Sequence, residues 1–213
     1  MFTKIKRIIS SHIAKNQSSY FFLLLAFILG VSAGAFTVNG LSTTQRDELS
    51  NYFQGFLQLL SNQSMDSSEL LSATLLENLK LVAVIWVLGV TIIGIPFIFI
   101  LMGIKGFITG FSSGFIISAI GMKGVLFTMF ALMPKEIIIV PCLIALGVNG
   151  INFSLRIIKN RSSRTALKDG LKANLLSYCF VTLFFSCFIF AGVLLEAYIT
   201  PVFIRMLAPV ITG

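Results

Sequence analysis

The chain carries little charge, and that shortage excludes more than any motif in it. Of 213 residues only 11% are charged, against roughly 25% in an ordinary soluble domain, too few for a water-facing globular surface. Histidine occurs once, as His12 in the basic amino-terminal stretch. That leaves no histidine relay or metal cage for an apolar interior and removes zinc-type chemistry on residue count. The three cysteines, Cys142, Cys179 and Cys187, are odd in number and lie inside apolar segments, so they read as reduced packing thiols. Acidic residues number 8 against 16 Lys and Arg, for a net charge of +8. The bases stand beside apolar runs and are not interleaved with base-stacking aromatics, so the surplus reads as membrane topology and no nucleic acid is expected as a partner.

What the chain has instead is apolar sequence, 56% of the total, in runs approaching the roughly 20 residues that cross about 30 Å of hydrocarbon. The expectation is an all-α fold in a single integral membrane domain, 1–213. It is a polytopic transmembrane helical bundle of about five spans, at 20–38, 81–102, 106–122, 137–155 and 175–195. The first run contains Ala33-Gly34-Ala35, which looks like a signal-peptidase site. It is longer than the apolar region of a cleaved signal, which favours an uncleaved helix.

Segment 39–79 holds Arg46 against Asp47, Glu48, Asp66, Glu69 and Glu77, a balance that places it outside the cytoplasm. Leu49, Tyr52, Phe53, Phe56, Leu57 and Leu60 recur there at helical spacing, and Asp66-Ser67-Ser68 offers caps for a second helix. The segment therefore reads as a short external helical hairpin with an apolar face, resting on headgroups or docking another protein. Segment 156–174 carries Arg156, Lys159, Arg161, Arg164, Lys168 and Lys172 against Asp169 and is the cytoplasmic loop. The amino terminus is then cytoplasmic and the carboxyl terminus extracytoplasmic.

Within this frame Lys105 marks the inner end of the second span. The apolar piece 124–133, closed by Pro134, is short enough to be re-entrant or interfacial. Lys135-Glu136 reads as a solvated turn, and the tail from Glu196, with Pro201 and Pro209, as too broken to cross again.

Gly106, Gly110, Gly114 and Ser118 are spaced by four, a ridge of small residues that lets another helix approach closely. Gly110-Phe111-Ser112-Ser113-Gly114 also matches a nucleophile elbow, but Ser112 or Ser113 would need a base in reach, so packing is the preferred reading. No catalytic, cofactor-binding or metal-binding residue is expected, and no cofactor. Asn149 and Asn152 are the only mid-depth amides, which leaves a transporter or permease subunit as the weaker alternative. Glu196 is either an interfacial cap or a buried partner of Arg205 or Lys135.

The run Asn78-Leu79-Lys80, Trp86-Val87-Leu88-Gly89, Gly94-Ile95-Pro96 and Ile104-Lys105-Gly106 resembles the stage II sporulation protein M family. So do Leu132-Met133-Pro134 with a second proline at Pro141, and the ending Glu196-Ala197-Tyr198-Ile199-Thr200-Pro201. Lys135-Glu136 after Pro134 and Ile139-Val140 before Pro141 depart from the broader family and look like its sporulation branch. The resemblance implies a non-enzymatic scaffold in the mother-cell membrane at the sporulation septum, acting in forespore engulfment. Implied partners are the lipid bilayer and two peptidoglycan-degrading enzymes, stage II sporulation proteins D and P, with self-association possible in addition. Candidate contact or structural residues are then Phe53, Phe56, Pro134, Pro141, Glu196, Thr200 and Pro201.

Overall fold

Inside lipid a chain must satisfy its own N–H and C=O groups, and long apolar runs without strand alternation do so as helices. A computed structural model of the protein describes residues 16–62, 67–160 and 167–212. These form α1 (Gln17–Asn39), α2 (Thr43–Asn62), α3 (Ser67–Val90), α4 (Gly94–Ile120), α5 (Met122–Phe127), a π-helical turn (Thr128–Leu132), α6 (Met133–Asn160) and α7 (Leu167–Thr212). Five stretches are long and apolar enough to span: Gln17–Asn39, Leu71–Val90, Gly94–Ile120, Met122–Lys159 and Asn174–Tyr198. The fold is the all-α bundle with five such helices that the apolar runs call for.

The borders inside the bundle differ from the sequence reading. The run 81–102, expected as one span, is broken at Thr91, Ile92 and Ile93, so Lys105 lies within α4 and not at a helix end. Thr91 N–H donates to the Leu88 carbonyl at 3.0 Å and Gly94 N–H to the Thr91 carbonyl at 3.2 Å, closing the turn. Its side chains are mostly apolar, so hydropathy runs through it unmarked. Pro96 falls in the first turn of α4, where its missing N–H has no helical partner to lose.

The piece 124–133 is likewise no separate element. Gly121, at φ 59°, turns the chain at the end of α4, and helix then continues from Met122 to Asn160. The π turn sits immediately before Pro134, which has no N–H for the preceding turn and crowds its carbonyls, so the ladder widens. Pro141 is exposed on α6 and does not end it. Lys135 and Glu136, expected in a solvated turn, are part-buried at the start of α6. The backbone stays helical through Pro201 as far as Thr212, where a broken tail was expected. The side chains of Phe56, Thr200 and Pro201, and of Arg205, lie outside the described residues.

The core takes one layer from each long helix, with Leu23 (α1), Ile85 (α3), Ile98 (α4), Leu143 (α6) and Val193 (α7) all sealed from solvent. A smaller cluster of Val38, Phe115, Ile116, Phe127 and Ala131 closes the opposite end from the basic loop.

Candidate functional site

Three sets of contacts hold the helices, one through small residues and two through charged or polar side chains. In the first, α1 and α4 run side by side at backbone contact. A Cβ on Gly106 would stand 2.2 Å from the Phe27 carbonyl oxygen, and one on Gly110 2.1 Å from that of Val31. Reciprocally, a Cβ on Gly30 would stand 2.1 Å from the Gly103 oxygen and one on Gly34 2.1 Å from the Phe107 oxygen. Only hydrogen fits at these positions, and close packing of this kind is what joins helices where lipid tails remove the hydrophobic incentive. Gly114 meets Ala35 less tightly, at 3.2 Å, and Ser118 is exposed beyond the contact. Contact partners rise together in number, so α1 and α4 are parallel, and α3 must cross between them in the opposite direction.

In the second set, α6 is tied to both neighbours by charge. Glu136 accepts from Lys105 Nζ of α4 at 2.9 Å, with the two side chains 13% and 21% exposed. The adjacent Lys135 pairs with Glu196 of α7. The structure thus places Glu196 against Lys135, one of the two partners the sequence left open. Glu136 Oε2 is buried without a hydrogen-bond partner among the described residues, so this carboxylate depends wholly on Lys105.

The third set lies near the basic loop. Ser154, fully buried, reaches the carbonyls of Gly89 at 2.7 Å and Thr91 at 2.8 Å, the first among the last carbonyls of α3 that lack a helical donor and the second already taken by Gly94 N–H in the turn. Tyr178 of α7 donates to the Trp86 carbonyl at 2.9 Å and stacks on Phe153 with ring centroids 4.6 Å apart. Asn149 reaches the Tyr178 carbonyl. A Cβ on Gly89 would come 2.2 Å from the Tyr178 hydroxyl, so this seat requires glycine.

At the far end α2 folds back onto the bundle. Phe53 packs edge-on against Phe115 and Phe127, centroids 6.3 and 5.8 Å away, with Leu41 and Leu49 beside it. Its ring is part of the protein's own interior, while Tyr52 next to it is 79% exposed. Ser112 and Ser113 are half-buried in α4, and His12 lies outside the described residues. Among the described residues the buried polar side chains are Thr74, Thr128 and Ser154, and no group of His, Cys, Asp and Glu is placed to hold a metal. Gly30 and Gly34 carry on α1 the same four-residue spacing that marks the ridge on α4, a signal in the sequence that points to this contact as well.

The family model described as stage II sporulation protein M matches residues 23–201. No curated protein and no solved structure matches the chain. The matched stretch holds all three sets of contacts, and the residues that carried the resemblance, Trp86, Gly89, Lys105, Gly106 and Glu196, are among those that make them.

Proposed function

The chain belongs to the stage II sporulation protein M family, a family not known as one of enzymes, and is a sporulation-related membrane protein; from that premise we propose that it is a scaffold. It gathers the wall-degrading stage II sporulation proteins D and P in the mother-cell membrane at the septum and leaves the chemistry to them. The observation that carries this reading is how the chain's polar and charged side chains are used. Lys105, Glu136, Lys135, Glu196, Ser154 and Tyr178 each bind another helix of the same chain, which favours a rigid, closed body over a passage or a reacting centre.

Rigidity is what a scaffold needs. Two enzymes held on one body meet their substrate at an effective concentration set by the anchor, which can exceed millimolar without any new contact to the wall. The basic loop inside and the acidic segment outside give the orientation, and α2, capping the outer end, offers its exposed side around Tyr52 to partners working in the wall.

Affinity purification of the full chain from detergent-extracted sporulating membranes, read by mass spectrometry, tests the reading. Proteins D and P are expected together with it, and Tyr52→Asp is expected to reduce their yield while the protein accumulates normally. Recovery of the intact chain without either enzyme overturns the scaffold.

A further inference from the structure

Membrane topology accounts for the sign of segment 156–174, six bases against Asp169, but not for what stands beneath it. Asn149, Asn152, Arg156 and Lys159 are spaced three, four and three along α6, so one face of the helix is polar at its inner end. The neighbouring α7 meets that face. Asn149 donates to the Tyr178 carbonyl at 3.4 Å, and Arg156 Nη1 donates to Asn174 Oδ1 at 3.3 Å. The level of this stripe follows from Ser154, which binds the turn where α3 passes into α4. At about 1.5 Å per residue, Asn152 lies about 3 Å on the membrane side of that turn, and Arg156 and Lys159 about 3 and 8 Å beyond it. The spans end at this turn, so the stripe stands where the hydrocarbon of one leaflet gives way to its headgroups.

The protein leaves part of the stripe unused. Asn152 is half-buried, and its amide makes no hydrogen bond to any described residue. Arg156 and Lys159 are exposed and have no ion pair among the described residues. The bond to Asn174 fixes the guanidinium between two helices and leaves most of its donors unused. Glu136 and Glu196, the acids of α6 and α7 whose side chains are described, are engaged with lysines at the opposite end. Cations and an amide at headgroup depth, with no acid to neutralise them, fit a phosphate of net negative charge. Leu155 and Leu175, 49% and 39% exposed at the same level, offer apolar surface to whatever that phosphate carries. A soluble phosphate would satisfy the cations and leave both leucines uncovered; a lipid satisfies both. We propose that the inner end of the α6–α7 contact is a binding site for an anionic phospholipid of the cytoplasmic leaflet. Arg156 and Lys159 hold its phosphate, and Asn152 donates to a phosphate or glycerol oxygen. The site does not rest on the scaffold reading, and neither falls with the other.

The test titrates the full chain, purified in detergent, with phosphatidylglycerol or phosphatidylcholine and reads bound lipid by native mass spectrometry. Phosphatidylglycerol is expected to bind about tenfold or more tightly than phosphatidylcholine, whose choline offsets the phosphate charge. Arg156→Gln is expected to lower phosphatidylglycerol affinity about fivefold or more. Asn152→Leu, which leaves the charge unchanged, is expected to lower it about threefold. Arg164→Gln removes the same charge from the same loop and is expected to stay within about twofold of the unaltered chain. Equal losses for Arg156→Gln and Arg164→Gln would mean diffuse attraction to the loop and overturn the site, as would equal binding of the two lipids. Excess inorganic phosphate is expected not to strip the lipid; complete displacement would assign the cations to a soluble phosphate compound and overturn the lipid. Arg156 is exposed, so its variant is expected to keep the thermal midpoint of the unaltered chain. If it does not accumulate, Lys159→Gln, exposed and bonded to no described residue, decides by the same criterion.

Discussion

Lys105 sits in the middle of α4 with its ammonium held to Glu136 at 2.9 Å, and the carboxylate's other oxygen has no hydrogen-bond partner among the described residues. A pair in such a place is less a source of stability than a liability when halved. Removing one member of a buried pair leaves an uncompensated charge at a cost of about 3–5 kcal/mol, whereas replacing both by apolar residues is often close to neutral. Lys105→Met is therefore expected to lower the thermal midpoint of the detergent-solubilised protein sharply, and Lys105→Met with Glu136→Leu to recover most of it. Equal loss in the single and double variants would mean that the pair does not act as a unit. Ser154 gives a second case at this scale. Ser154→Ala withdraws a side-chain donor shared by the carbonyls of Gly89 and Thr91, worth about 1–3 kcal/mol where the acceptors are shielded, and is expected to raise proteolysis at the Thr91–Ile93 turn. Unchanged cleavage there would remove Ser154 from that role.

Between elements, α1 and α4 are joined by the absence of side chains. A Cβ at Gly34 or Gly110 would lie 2.1 Å from a backbone oxygen, so even Ala forces the helices apart. Gly34→Leu and Gly110→Leu are each expected to cost about 1–3 kcal/mol or more by overpacking, seen as loss of folded protein from the membrane. Ser118→Leu, on the exposed turn beyond the contact, is expected to be tolerated; comparable loss there would show that the ridge extends further than Gly114. Gly34 also bears on the cleavage-like Ala33-Gly34-Ala35: cutting after Ala35 would separate nearly all of the stretch that pairs with α4, Phe27 to Ala35, from the rest of the chain. Phe53 is the corresponding anchor for α2. Phe53→Ala is expected to release α2 from Phe115 and Phe127 at a cost of about 2 kcal/mol, raising amide exchange in 43–55 while leaving the spans protected. Unaltered exchange would mean that Leu41 and Leu49 suffice.

For the whole molecule, the parallel run of α1 and α4 requires one return crossing between them, which α3 supplies, and this agrees with a basic loop inside and an acidic segment outside. An impermeant thiol reagent applied to intact cells is expected to label Tyr52→Cys and to reach Lys159→Cys only after permeabilisation, both positions being exposed and the native cysteines replaced by Ser. Labelling of Lys159→Cys in intact cells would reverse the orientation and take the scaffold reading with it, since enzymes that cut the wall need a surface on its side.

Composition and hydropathy alone determined that the chain is a membrane protein of helices with about five crossings, because each of those depends on residues near one another in sequence. The same holds for the glycine ridge on α4, a four-residue period visible without a partner. Helix borders were already harder: the turn at Thr91, Ile92 and Ile93 is mostly apolar, and Lys105 imitated a boundary because a lone lysine in an apolar run looks like an exit from the membrane. Only the tertiary structure decided that Lys105 meets Glu136 and that Lys135 meets Glu196, pairs 31 and 61 residues apart. It alone set Gly30 and Gly34 against α4 and turned Phe53 inward. Local periodicity states which face of a helix is apolar or small; which helix that face meets is settled by how all of them pack at once, where a charge left unpaired in lipid costs more than any local preference can supply.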